Sequence, residues 1–162
     1  MKRITRNELN TEIALLISRR STCGRLQVGC IITREGRMIV SGYNGPPSKN
    51  LQFANSEDWV RPHGRERIIA IKPNDGKCDC DLNKPCTQAI HAEVNAIAFA
   101  ARQGIALENT VMYCTHSPCI KCAELITQAG IKEVIFIEHF RDAEGLQLLA
   151  SNGIKISKYE AT

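Results

Sequence analysis

Apolar positions recur with two different periods along this chain. At 5–20, Leu9, Ile13, Leu16 and Ile17 fall on one face of a 3.6-residue repeat, and Thr5 followed by Glu8 makes a capping box. A helix is expected there, with that face turned inward. Short β-branched runs follow at 28–33 and 38–43, separated by Glu35 and Gly36, which predicts an antiparallel hairpin. Helix-period segments at 90–103, 119–129 and 142–152 stop at Gly104, Gly130 and Gly153, and Asp142 is the expected N-cap of the last. Extended segments at 111–115, 133–137 and 154–157 follow these helices in turn, the middle one apolar enough to be buried on both faces.

The order αββαβαβαβ predicts an α/β fold: a three-layer α/β/α domain over 1–162 around a central mixed five-stranded sheet flanked by helices. The first hairpin is antiparallel and the later strands are parallel. The stretch at about 45–86 departs from this pattern. It is rich in Pro, Asn, Asp, Gly and charge and has no sustained period, so it reads as an inserted loop region. Loops of this length in a compact domain usually carry a lid, a binding segment or a metal knuckle.

Length and composition agree with one globular domain: 162 residues, 43% hydrophobic and 23% charged. No segment approaches the roughly 18 consecutive apolar residues of a membrane span, and MKRITRNELN has no signal-like apolar core, so the expected location is cytoplasmic, or host cytoplasm for a phage protein. In a reducing compartment eight cysteines point to metal ligation, catalysis or burial rather than disulfides. A net charge of +4 spread along the chain suits a small anion, whereas duplex binding favours a concentrated basic stripe.

The residues that carry chemistry are His91-Ala92-Glu93 at the start of one helix and Pro118-Cys119-Ile120-Lys121-Cys122 at the start of the next. Cys119 and Cys122 lie one turn apart, so both sulfurs can reach one ion, and a helix N-terminus stabilises thiolates. His91 is the third ligand. Three protein ligands leave the fourth tetrahedral position of zinc open, the mark of a catalytic rather than a structural site. Glu93 shares the pocket without entering the ligand shell and is placed to carry protons in a hydrolytic deamination. His-x-Glu with a downstream Pro-Cys-x-x-Cys is the signature of zinc deaminases. Taken singly, HAE on a helix or one CxxC could be a core feature or half of a zinc ribbon; their joint order argues against that.

Together with VGCII at 28–32, SGYNGPP at 41–47, AIHAEVNAI at 89–97, MYCTHSPCIKC at 112–122 and AGIKEVIF at 129–136, these motifs resemble the deoxycytidylate deaminases of the cytidine deaminase superfamily. The resemblance implies hydrolysis of dCMP to dUMP and ammonia, feeding thymidylate synthesis. It implies that Asn44 hydrogen-bonds the nucleotide sugar, although Asn-Gly is also a common turn, and that Phe140, unless a plain core residue, stacks on the pyrimidine where the family has tyrosine. Ser117 would meet the base edge, and Arg20 with Ser21 the phosphate, with a solvated helix-end cation as the other reading of Arg20.

The same resemblance implies a homohexamer regulated by dCTP as activator and dTTP as inhibitor, with Gly42, Tyr43 and Gly45 at the effector site and Mg2+ accompanying the triphosphate. Some relatives hold a second, structural zinc; here Cys78, Cys80 and Cys86 with Cys23 or His63 are the candidate cage, against free or buried thiols. Cys30 and Cys114 read as small core residues. Two other functions remain open at this point: deamination of a nucleic-acid or tRNA base, and a zinc-stabilised binding module without catalysis.

Overall fold

The computed structural model describes residues 3–46 and 89–160. Most of the expected insertion therefore lies outside the described residues. The elements run α1 (Arg6–Ser18), β1 (Gly29–Arg34), β2 (Arg37–Tyr43), α2 (Ala92–Arg102), β3 (Val111–His116), α3 (Ile120–Gln128), β4 (Glu133–Glu138), α4 (Glu144–Ser151) and β5 (Lys155–Lys158). The sheet order is β2-β1-β3-β4-β5. β1 pairs antiparallel with both β2 and β3, while β3, β4 and β5 run parallel to one another. The mixed five-stranded sheet is thus the expected one.

The β1–β2 turn places Glu35 at φ 53 and Gly36 at φ 77, the pair of left-handed conformations that a tight hairpin turn requires. Side chains alternate across the central strands with period two. Cys30, Ile32, Met112, Cys114, Val134 and Phe136 face a core built with α2, α3 and α4, whereas Ile31, Tyr113 and Ile135 face Ala14 of α1. Helices cover both faces, which makes the three layers. Cys30 and Cys114 are fully buried, directly opposed partners on β1 and β3, as small core residues should be.

Two sequence expectations are corrected. The capping box is present, with the Glu8 amide 3.1 Å from Thr5 Oγ1, and Ile13 and Ile17 pack inward as expected, but the fully buried residues of α1 are Asn10, Thr11, Ala14 and Ser18. Leu9 and Leu16 are 43% and 61% exposed. Helix and strand approach most closely at Gly29 on β1, which lies against the backbone of Ala14 and Ser18, so the small residues of α1 are the ones placed there. The second correction is the start of α4, where Ala143 rather than Asp142 takes the cap position and no side chain caps the helix.

Candidate active site

Two helix starts meet at the open end of the sheet. His91 is the N-cap of α2 and Cys119 the N-cap of α3, both in extended conformation, and neither side chain caps its own helix. The imidazole and the thiol turn toward each other instead. Cys119 Sγ lies 3.5 Å and Cys122 Sγ 3.3 Å from His91 Nδ1, and the three donor atoms all lie within 4.8 Å of one another. Zinc bonds of about 2.0 Å to nitrogen and 2.3 Å to sulfur at a tetrahedral angle would separate those atoms by about 3.5 Å. The donor set and its spacing therefore fit zinc.

Local structure fixes each half. A two-residue bridge, with Gly45 N donating to Ile90 O at 3.2 Å and Ile90 N to Gly45 O at 2.9 Å, ties the chain just before His91 to the end of β2. Asn95 Nδ2 donates to Tyr43 O at 2.9 Å and holds the first turn of α2 against the same place. On the other half, Ser117 N donates to Glu138 O at 2.8 Å and Ser117 Oγ accepts from Phe140 N at 2.7 Å, so the turn after β3 and the turn after β4 form one unit.

Glu93, one residue into α2, is 4% exposed. Burial raises its carboxyl above the ordinary carboxylate range, opposed by a hydrogen bond from its backbone and by the nearby imidazole. A carboxyl shifted in that direction is suited to taking and giving protons near neutrality. Hydrogen bonding between the two sulfurs draws Cys119 below the usual thiol range and drives Cys122 above it, so the pair favours a single thiolate shared by one hydrogen bond. His91, Glu93 and Cys119 floor a cavity of about 270 Å³ walled by Val28, Asn44, Ser117 and Phe140, with Arg25 and Arg141 also lining it.

Residues 4–138 match the cytidine and deoxycytidylate deaminase zinc-binding region. This chain is a member of that family. It is 38% identical over 146 residues to the deoxycytidylate deaminase of Enterobacteria phage T4, covering 80% of this chain and 76% of the phage protein. It is 33% identical over 161 residues to the ComE operon protein 2 of Bacillus subtilis, covering 99% and 74%. Among solved structures, the dCMP deaminase of cyanophage S-TIM5 in complex with dCMP and dUMP superposes with a TM-score of 0.77 at 26% identity, covering 98% of this chain and all of that one.

Within this zinc-binding deaminase, the sequence-derived candidates separate into three groups. His91, Glu93, Cys119, Asn44, Ser117 and Phe140 line the cavity, with Cys122 beside it. Asn44 has its amide engaged at both ends, Oδ1 accepting from Val28 N and Nδ2 donating to Leu26 O, each at 2.8 Å, which leaves one hydrogen and one lone pair for a ligand. Arg20 and Ser21 do not line it. The Arg20 guanidinium lies 6.0 Å from the Tyr43 ring centre, and Ser21 Oγ donates to Asn44 O at 2.8 Å and accepts from Cys23 N at 3.1 Å.

Gly42 is buried under α2, Gly45 holds the bridge to Ile90, and Tyr43 is half-buried beneath Arg20. Cys23 is buried and borders the cavity; Cys78, Cys80, Cys86 and His63 lie outside the described residues. Sequence reasoning missed Arg25, His116 and Arg141. Arg25 lies four residues after Ser21, and Arg141 adjoins Phe140, its guanidinium 5.3 Å from that ring. His116 has its imidazole pKa lowered by burial, partly offset by Glu138, and its Nδ1 lies 3.1 Å from Thr115 Oγ1. Among the described residues no helix is long and apolar enough to cross a membrane.

Proposed function

We propose that this deaminase hydrolyses dCMP to dUMP and ammonia, with His91, Cys119 and Cys122 as zinc ligands and Glu93 as proton carrier. The observation that carries the reading is the convergence of one imidazole nitrogen and two sulfurs within 4.8 Å of one another, beside a buried carboxyl. The substrate assignment rests on the likeness to deoxycytidylate deaminases and to the cyanophage enzyme bound to dCMP and dUMP.

Zinc, when bound, supplies a Lewis acid that brings the pKa of a coordinated water to about 7. The chain's own residues do the rest. Glu93 would accept a proton from the water that adds to C4 of cytosine and would deliver it to ring nitrogen N3. It then takes the remaining hydroxyl proton and passes it to the amino group, the C4–N bond breaks, and ammonia leaves as C4=O forms. Phe140 supplies an aromatic wall for the pyrimidine. Asn44 offers its spare amide hydrogen and lone pair to the sugar, and the backbone bond from Phe140 to Ser117 holds the wall in place. Among the described residues Arg25 and Arg141, rather than Arg20, are the guanidinium groups that line the cavity and can meet a phosphate.

The test is turnover of dCMP, dCTP, cytidine and short single-stranded DNA and RNA by the purified protein, with its zinc content measured alongside. Release of ammonia from dCMP well above the others is expected. Turnover confined to the oligonucleotides would replace this reading with polynucleotide deamination. The proposal extends, on the resemblance alone, to a hexamer activated by dCTP and inhibited by dTTP with Mg2+; light scattering and dCMP kinetics with each triphosphate decide it.

A further inference from the structure

Three glycines lie against the backbone of a helix or of the turn that starts one, and they differ in what that helix carries. A Cβ on Gly29 would fall 2.5 Å from Ser18 N and nearer still to Ala14 O, in α1, which contributes nothing to the cavity. A Cβ on Gly42 would fall 2.7 Å from Ala96 N and nearer to Ala92 O, in the first turns of the helix that begins at His91 and holds Glu93. A Cβ on Gly145, in the first turn of α4, would fall 2.8 Å from the Cys119 carbonyl carbon, 3.0 Å from its oxygen, and nearer to Pro118 O. All of these neighbours are backbone, so a methyl group there cannot be accommodated by turning a side chain; the segment itself must move.

We propose that Gly42 and Gly145 are positioning residues that set the separation between the two halves of the metal site. Gly42 lets β2 seat the His91–Glu93 turn, and Gly145 lets α4 seat the Pro118–Cys119 peptide. The ligand atoms lie within 4.8 Å of one another, and each half belongs to a different helix start, so nothing in the local sequence of either half fixes their distance. The glycines on the elements behind them do. Phe140 is drawn into the same arrangement, because its amide is bonded to Ser117 Oγ, next to the peptide on which Gly145 presses.

This inference rests on the zinc-ligand assignment proposed above. The experiment compares the zinc-loaded proteins carrying Gly42→Ala or Gly145→Ala with the wild type, and with Gly29→Ala and Ile31→Ala as variants weakened on the α1 face. Zinc affinity is read by competition with a chromogenic chelator, ligand geometry by the visible absorption of the cobalt(II)-substituted proteins, and stability by thermal midpoint. Groups that orient metal ligands typically change affinity about 10–100-fold when altered. A loss of that order, with displaced cobalt bands, is expected for Gly42→Ala and Gly145→Ala, while the comparators lose thermal stability and keep affinity and spectrum.

Wild-type affinity and spectrum in both glycine variants would overturn the proposal. So would an equal loss of affinity in the comparators, or failure of both glycine variants to fold in excess zinc while a comparator folds. Wild-type zinc binding by Cys119→Ala would remove the ligand assignment and this proposal with it; a zinc-free Cys119→Ala beside glycine variants of normal affinity would remove this proposal alone.

Discussion

On one face of the sheet, α1 meets Ile31, Tyr113 and Ile135 through Ala14, Ile13 and Ile17 and also buries Asn10, Thr11 and Ser18; on the other, α2, α3 and α4 bring Ala96, Ala100, Ile126 and Leu149 against Ile32, Met112, Val134 and Phe136. The α1 face buries the Asn10 amide nitrogen and the Thr11 hydroxyl without hydrogen-bond partners among the described residues, while the opposite face is closed by apolar groups and holds the ligand helices. The difference follows from what each face must do. Three side chains from two helix starts have to meet within a few ångströms, and only a densely packed support keeps them there. The α1 layer has to cover a sheet and little else, so it tolerates polar groups whose burial costs stability.

Replacing a ligand should break the contrast most severely. Cys119→Ala is expected to drop zinc from one ion per chain toward none, with loss of activity and a lower thermal midpoint, because metal binding and folding are coupled. Metal analysis that still finds a full complement would contradict the ligand set. Glu93→Ala separates chemistry from architecture on the same face. It should keep its zinc and its fold yet lose about 10²–10⁴ in kcat, the usual contribution of a positioned acid–base group. Near-normal turnover would rule out the proton-carrier role.

The α1 face should respond in the opposite direction. Thr11→Val removes a buried hydroxyl that has no partner among the described residues and keeps its shape, so it is expected to stabilise by about 1 kcal/mol, a rise of roughly 2–4 °C in a chain of this size. A fall in midpoint would mean that the hydroxyl has a function on this face. The smallest effect concerns His116 at the cavity. Burial lowers its folded-state pKa below the unfolded value near 6.5, so its neutral form is favoured by folding. The stability it permits is complete above about pH 6.5 and declines as pH falls through the folded pKa. Denaturation of His116→Gln between pH 7 and 5 should show a shallower decline than wild type; parallel curves would exclude His116 as its source.

The metal half-sites could be read directly from the sequence because each is local. His91 and Glu93 are two residues apart and Cys119 and Cys122 three, so the turn of one helix places them. Strand runs and glycine stops located the later elements for the same reason, and those glycines do take positive φ at Gly104, Gly130 and Gly153. On α1 periodicity placed Ile13 and Ile17 inward, where they pack, but it also placed Leu9 and Leu16 there because it weighs them by hydrophobicity alone. It has no access to Gly29, which lies against the backbone of Ala14 and Ser18. Arg25, His116 and Arg141 were missed because each is a single loop or strand-end residue with no companion at fixed spacing.

The sequence by itself determined the order of elements, the two ligand-bearing helix starts and the carboxylate between them, since all of these depend on neighbours within a few positions along the chain. Only the tertiary structure decided that β1 joins the antiparallel hairpin to the parallel strands, that Arg25 and Arg141 rather than Arg20 reach the cavity, and that Gly42 and Gly145 back the two half-sites. Those relations join residues far apart in the chain, and distances between separate elements are set by how closely their backbones pack.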